Sequence, residues 1–214
     1  MRKFIIKGFV LLMFAPLSIS MVKASSYVMG RIYLNNGTVI ECTQRDRIKL
    51  PKRSNSVVFL CNAYSKDEIR KKFPASQVDS IIAWHPATPE HIRKFVSSDN
   101  LGWLWIYFET PQICASIYSS KGYGIDTNGG IQVLQKKGLV FHSKTTYCLK
   151  KTGVEDFEPV GATKSRSNKK FRKKVAEYIW EDPNLSSQIL NSNARRNKII
   201  LMLLNYYPTN NATP

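Results

Sequence analysis

The chain has 214 residues and a formal net charge of +17, from 32 lysines and arginines against 15 acidic residues. This length suits one domain, or one domain with a helical annex, and is ample for a buried core. Beyond the N-terminus no apolar run approaches the ~20 residues of a membrane-spanning helix. The composition therefore favours a basic globular protein.

The first 24 residues have the layout of a secretory signal peptide. A basic start precedes an apolar run over residues 8–15 that is too short to span a membrane. Val22 and Ala24 suit the pockets of signal peptidase, so we predict cleavage between Ala24 and Ser25. An uncleaved N-terminal anchor is the alternative. We expect export to the periplasm, the cell surface or the medium of a Gram-negative bacterium, with 28 basic and 15 acidic residues in the mature chain.

Extended structure is predicted from Tyr27 to residue 150. Asn36-Gly37 lies between two alternating runs and predicts a hairpin with a two-residue connection. Residues 57–61 are β-branched and aromatic, which is typical of a strand. Residues 66–73 are polar and predict a helical turn, and residues 89–96 predict a short helix capped by Thr88.

The most hydrophobic mature segment is residues 101–109. Apolar side chains on both of its faces predict a central strand that is covered on each side. Its aromatic stripe, Trp103, Trp105 and Tyr107, is better explained by burial than by binding of sugars or bases. Further strands are predicted at residues 113–118 and 139–149, with a hairpin at Asp126–Gly130 between them.

The pattern changes to helical after residue 150. Apolar residues at helical spacing predict helices over residues 168–181, 185–190 and 194–206. The predicted organisation is a signal peptide (1–24), a β-rich domain (25–150), a linker (151–167), a helical subdomain (168–208) and a loose tail (209–214). The predicted fold class is α+β: an antiparallel β-rich body, either a sandwich or a partly open barrel, followed by a three-helix annex.

This order of features resembles a group of uncharacterised exported proteins from Bacteroidota. The likeness rests on the strand–Asn-Gly–strand opening at residues 30–40 and on a C-terminal pattern of Phe171-Arg172-Lys173, Tyr178, Asp182-Pro183, Leu185 and residues 199–207. The Trp-rich strand and the cysteines are departures from that group. The resemblance implies origin and architecture, and it implies no activity.

No catalytic or cofactor motif is present in the sequence. His85 and His91 are six residues apart across prolines, so they cannot share a helix face, and there is no H-E-x-x-H. The glycines lack the spacing of a phosphate loop. We therefore expect no cofactor and no metal. A thiol–imidazole pair of Cys114 and His142 is the one nucleophile hypothesis that strand spacing leaves open.

Four cysteines stand in the mature chain at wide spacings: Cys42, Cys61, Cys114 and Cys148. No C-x-x-C occurs, so the sequence indicates neither a zinc site nor a thioredoxin-type redox pair. An even number of cysteines in an exported chain favours at least one disulfide, and all three pairings are open. Four buried free thiols are the alternative.

A basic cluster is the strongest physical signal. Residues 164–174 contain seven basic side chains and no acid: Lys164, Arg166, Lys169, Lys170, Arg172, Lys173 and Lys174. Such a cluster attracts polyanions in a salt-dependent manner, and a solvated helix face is the alternative. No motif for sequence-specific DNA recognition is present.

The sequence thus favours a non-enzymatic structural or interaction module of the envelope, with an unassigned partner. The second hypothesis is an envelope polyanion binder that uses the basic cluster to hold lipopolysaccharide, an acidic glycan or extracellular DNA. An unrecognised hydrolase is third.

Overall fold

The computed structural model describes residues 27–65, 68–119, 121–126, 128–133, 145–163 and 167–208. Its strands are β1 Tyr27–Leu34, β2 Val39–Glu41, β3 Asp46–Lys49, β4 Val57–Asn62, β5 Ile69–Pro74, β6 Val78–His85, β7 Thr88–Ser98, β8 Gly102–Glu109, β9 Ile113–Ser119, β10 Tyr123–Ile125, β11 Ile131–Val133, β12 Thr145–Lys151 and β13 Glu158–Ala162. Its helices are α1 Asn168–Tyr178, α2 Pro183–Asn191 and α3 Arg196–Met202, with short 3₁₀ turns at Ala75–Gln77 and Leu203–Asn205.

One eleven-stranded antiparallel sheet forms the body of the protein. Its strand order is β13-β12-β9-β8-β7-β6-β1-β3-β4-β5, with β2 added on β1, and β10 and β11 make a separate pair. The two end strands of this order do not pair with each other, so the sheet is not closed into a barrel. The predicted α+β class, with a large antiparallel sheet and C-terminal helices, is confirmed. The most hydrophobic segment, β8, lies between β7 and β9, as predicted.

The β1–β2 hairpin forms where the sequence predicts it, but its connection is one residue longer. The amide of Leu34 donates to the carbonyl of Thr38, and the amide of Gly37 donates back to the carbonyl of Leu34. Gly37 has a φ of 82°, which an L side chain rarely adopts. The loop is therefore a turn followed by a left-handed glycine, the usual form of a three-residue hairpin.

The two helical predictions within the body were wrong. Residues 69–74 form β5, and residues 88–98 form the eleven-residue strand β7. His85 pairs with Thr88 across a tight turn, so β7 follows directly from β6. Residues 93–96 then pair with residues 80–83, after a register shift between Ala83 and His85. Strand pairing and the burial of Phe95 outweigh the local helix signals at Thr88 and Pro89.

Two hydrophobic clusters lie on one face of the sheet, here called the covered face. The first cluster is enclosed by β1, β3–β8 and the β10–β11 pair, and it includes the fully buried Phe95 and Trp103. The second lies between β9, β12 and β13 and the three helices. Trp105 packs against both clusters. The burial predicted for the aromatic stripe is confirmed for Trp103, whereas Tyr107 is 36 % exposed at an irregularity in β8.

The helical annex packs on the sheet through its apolar face. Phe171, Val175 and Ile179 of the first helix are buried, and Leu185, Ile189, Ile199 and Ile200 follow on the next two. Residues 151–167, predicted as a linker, include β13, which pairs with β12 and buries Val160. The linker prediction needs correction there, because a polar strand with one buried residue lacks the alternation that marks a strand in sequence. Among the described residues no helix is long and apolar enough to cross a membrane.

A partly buried ion pair ties the annex to the end of β12. Lys151 Nζ donates to both carboxylate oxygens of Glu181, at 2.5 and 2.7 Å, and Tyr206 Oη donates to the same carboxylate at 3.3 Å. Burial acts to raise the pKa of Glu181, but the hydrogen bond and charge of Lys151 outweigh it, so this pKa is lowered. The pair joins the sheet, the end of α1 and the segment after α3 in one contact.

Replacing Glu181 with Gln should destabilise the protein by about 1–2 kcal/mol at neutral pH, because Lys151 loses its charged partner. A lowered folded-state pKa stabilises above the unfolded value of about 4.3 and ceases to stabilise as the pH falls through the folded value. The stability gap between parent and variant should therefore close in acid. Denaturant titrations at several pH values measure it.

The matched control is Glu177→Gln, which removes the exposed pair with Lys173 at 3.6 Å. That change should cost no more than about 0.5 kcal/mol. Equal losses in the two variants would contradict a special role for the Lys151–Glu181 pair.

Candidate functional site

Only part of the predicted basic cluster lies within the described residues. Lys164 and Arg166 lie outside the described residues, as do Ala24 and Ser25 of the predicted cleavage site. The other five basic residues, Lys169, Lys170, Arg172, Lys173 and Lys174, lie on α1. The opposite side of this helix buries Phe171 and Val175, so the cluster occupies the helix surface that faces away from the core.

Three members of the cluster already have partners. Arg172 Nη1 donates to the carbonyl of Ser192. Lys174 Nζ donates to the carbonyl of Pro159 at 2.6 Å and lies 3.6 Å from the carboxylate of Glu158. Lys173 lies 3.6 Å from Glu177, one helical turn away. These contacts fasten α1 to its surroundings and neutralise part of its charge.

Lys169 and Lys170 differ from the rest of the cluster. Both are exposed in the first turn of α1, and neither forms an ion pair within the described part of the chain. Ser167 caps this turn by accepting from the amide of Lys170 at 3.3 Å. The N-terminus of a helix carries partial positive charge, so two lysines there raise an already positive potential. This turn attracts anions most strongly within the cluster.

The four cysteines are free thiols, which is contrary to the predicted disulfide. Cys148 pairs in register with Ser116, and Cys114 pairs with Lys150, so the two cysteines of β9 and β12 are diagonal neighbours. Diagonal positions are about 7–8 Å apart between Cα atoms, beyond the usual disulfide range of about 4.4–6.8 Å. Strand register therefore separates Cys114 from Cys148.

Burial also makes the thiols poor nucleophiles. It raises the pKa of Cys42 to about 11 and those of Cys114 and Cys148 to about 12. A raised pKa keeps a thiol protonated at neutral pH, and the thiolate is the reactive form. His142, the proposed base for Cys114, lies outside the described residues, so that pair stays a hypothesis.

A cleft of about 660 Å³ opens on the side of the sheet opposite the two clusters, here called the open face. Lys94, Glu109, Cys114 and Lys150 line it from neighbouring strands. Lys94 Nζ bonds to Glu109 at 2.8 Å, so these two charges neutralise each other. The volume is within the range of small-molecule sites, but the lining is polar.

The segment 152–157 forms one border of this cleft, and side-chain hydrogen bonds fix it to residues 98–100 at the end of β7. Asp156 accepts from Ser98 Oγ and Asn100 Nδ2, each at 2.6 Å. Burial acts to raise the pKa of Asp156, but these hydrogen bonds and the amide of Phe157 outweigh it and lower the pKa. Asp156 is therefore a stable anion that serves as a structural acceptor.

The sequence did not predict this cleft, because its residues come from four distant segments. Five carboxylates line it against three lysines, whereas the whole chain is strongly basic. The acidic members are Asp79, Asp99, Glu109, Glu155 and Asp156. Within the described residues no group of three His, Cys, Asp or Glu side chains is arranged to hold a metal ion.

Fold and site together define an antiparallel α+β protein with an anionic cleft on the open face of its sheet and a cationic first helix. Comparison with family models, with curated protein sequences and with solved structures finds no match.

Replacing Lys169 and Lys170 with Glu should stabilise the protein, because acids in the first turn interact favourably with the helix dipole. The gain should be about 0.3–1 kcal/mol per residue at low ionic strength. Urea denaturation at low and high salt measures it. Lys121→Glu, at an exposed turn position before β10, is the control, and an equal gain there would show a general charge effect.

Thiol titration tests the state of the cysteines. Protein that is denatured without reductant should give four reactive thiols per chain, and the folded protein should label slowly at neutral pH, because burial keeps the thiols protonated. A count of two or none after denaturation would show that disulfides form in the natural compartment.

Proposed function

We propose that this protein is an exported, non-enzymatic interaction module of a Gram-negative cell envelope, of the kind seen in the exported Bacteroidota proteins that it resembles. Export is supported by the signal-peptide layout of residues 1–24. The mature chain then acts in the periplasm, at the surface or in the medium.

One observation carries the interaction role: charged side chains stand on the open face of the sheet over several strands, outside the two hydrophobic clusters. Lysine and arginine side chains stand on the open face of β1, β3 and β7, as with Arg31, Lys49 and Lys94. A sheet that presents charged side chains to solvent over many strands offers a broad binding surface and no enclosed reaction chamber.

Hydrolase chemistry is the less favoured proposal. A nucleophile needs an activated form and a base within hydrogen-bond reach. Burial raises the pKa of Cys114 to about 12, and Lys94 and Glu109 of the same cleft are paired with each other. These groups therefore lack the activation that the chemistry requires.

A second proposal is that the α1 cluster binds an anionic envelope polymer: lipopolysaccharide, an acidic glycan or extracellular DNA. The specific observation in its favour is the exposure of Lys169 and Lys170 in a helical first turn without ion-pair partners among the described residues. Binding would be electrostatic and salt-dependent, with no reading of nucleic-acid sequence.

Fractionation and N-terminal sequencing test export directly. The protein should be absent from the cytoplasm, and its first residue should be Ser25, because cleavage after Ala24 removes the signal. A start at Met1 in a soluble cytoplasmic fraction would overturn the proposed location.

Co-purification from envelope fractions at low and high salt tests the interaction role. A partner should be retained at low salt, and Lys169→Gln with Lys170→Gln should weaken retention if the α1 cluster holds it. Retention that is unchanged by salt and by this variant would exclude the α1 cluster as the binding surface.

A further inference from the structure

A row of alternating aromatic and cationic side chains crosses four strands on the open face. Tyr27 of β1 pairs in register with Lys49 of β3, Lys49 pairs with Phe59 of β4, and Phe59 pairs with Lys72 of β5. Residues that are paired in register point to the same side of a sheet. The four side chains, here called the cationic–aromatic row, therefore form one line across the strands.

The row is accessible and its charges are available. Lys72 is exposed, and Tyr27, Lys49 and Phe59 are partly exposed. Lys49 Nζ lies between the two rings, 5.9 Å from the centroid of Tyr27 and 5.8 Å from that of Phe59. No ion pair of the described residues includes Lys49 or Lys72.

The surroundings of the row are also basic. Arg47 and Arg70 precede Lys49 and Lys72 by two residues on β3 and β5, whereas Lys71 pairs with Leu60 and points to the other side of the sheet. Asp46, the acid on β3, is buried and already bound by Arg70 at 2.9 Å. The field around the row therefore favours an anionic partner.

Protection of a sheet edge explains only part of this pattern. β5 ends the strand order, and lysines on an edge strand prevent pairing with other chains. That role accounts for Lys71 and Lys72. It does not account for Lys49, because β3 is paired on both sides, with β1 and β4.

Spacing indicates the class of ligand. Neighbouring strands are about 4.8 Å apart, so the two rings are about two strand spacings apart, and so are the two lysines. An extended pyranose chain advances by nearly one strand spacing per sugar. A chain with an acid on every second sugar would place a sugar against each ring and a carboxylate or sulfate beside each lysine.

We propose that the cationic–aromatic row binds a linear acidic polysaccharide that lies across the strands with one acidic group per two sugars. Aromatic rings pack against the apolar faces of sugars, and lysines form charge-assisted hydrogen bonds with the acidic groups. A single-stranded nucleic acid carries a charge on every nucleotide, and a bilayer requires protruding apolar side chains, so the row fits both less well. The site is separate from the α1 cluster, and binding by the purified protein depends on neither export nor that cluster.

Binding of a hyaluronan oligosaccharide, which carries one carboxylate per disaccharide, tests the proposal by calorimetry. The row variant combines Lys49→Gln with Lys72→Glu, because a charge at position 72 keeps the edge protected. Its Kd should rise about tenfold or more, because two charge-assisted contacts are lost. Phe59→Leu should also weaken binding while the thermal transition shows that the protein is folded.

The matched control is Arg195→Gln with Lys198→Glu at the start of α3, two exposed positions. This control lowers the charge by three units, as the row variant does, and should leave the Kd within about twofold. A neutral chitin oligosaccharide should bind more weakly than hyaluronan. Equal losses in the row variant and the control would overturn the proposal, as would the absence of hyaluronan binding. Tighter binding of oligothymidylate or phosphatidylglycerol vesicles at the same residues would replace it with a nucleic-acid or a membrane site.

Discussion

The continuous antiparallel register of the sheet is the constraint on which the rest of the structure depends. Because side chains alternate between faces, this register commits each residue either to the covered face or to the open face. Trp105 joins the two hydrophobic clusters on the covered face, so the β-rich body and the helical annex share one continuous core. The same register that buries Val28 and Ile48 turns Tyr27 and Lys49 outward. Core and surface are therefore set by a single pairing pattern.

Charge is distributed unevenly over the sheet and the helices, and this distribution determines where anions are attracted more than the net charge does. The cleft on the open face collects five of the fifteen acidic residues, where Asp156 and Glu109 serve as internal partners. Because these acids are gathered at the cleft, the outer surfaces of α1 and of β3–β5 keep an excess of cations. Long-range attraction of anions follows from that excess, whereas short-range selectivity requires the rings and the strand spacing. The two cationic surfaces therefore differ. α1 attracts anions only through its positive electrostatic potential, whereas the sheet also holds aromatic rings and lysines at the spacing of its strands.

The sequence predicted the elements that local patterns encode and missed those that depend on distant partners. The first hairpin, the hydrophobic β8 and the amphipathic α1 were predictable because turn chemistry and periodicity lie within a few residues. β7 and β13 were missed, since their pairing with β6 and β12 decides their conformation. The basic cluster was visible in the sequence because its members lie within residues 164–174. The cationic–aromatic row was not, because its members are residues 27, 49, 59 and 72 and only the strand register aligns them.

Free thiols and the proposed export are compatible on physical grounds. An oxidising compartment forms a disulfide only where a thiolate can attack and where two cysteines are within bonding geometry. Burial raises the pKa of Cys114 and Cys148 to about 12, which removes the attacking species, and the β9–β12 register keeps the two residues diagonal. Cys42 and Cys61 are also buried. Before the chain folds none of these barriers exists, so the thiols would be preserved only if the sheet forms rapidly. The cysteines then act as small core residues, and their chemistry is suppressed by the same packing that supports the open face.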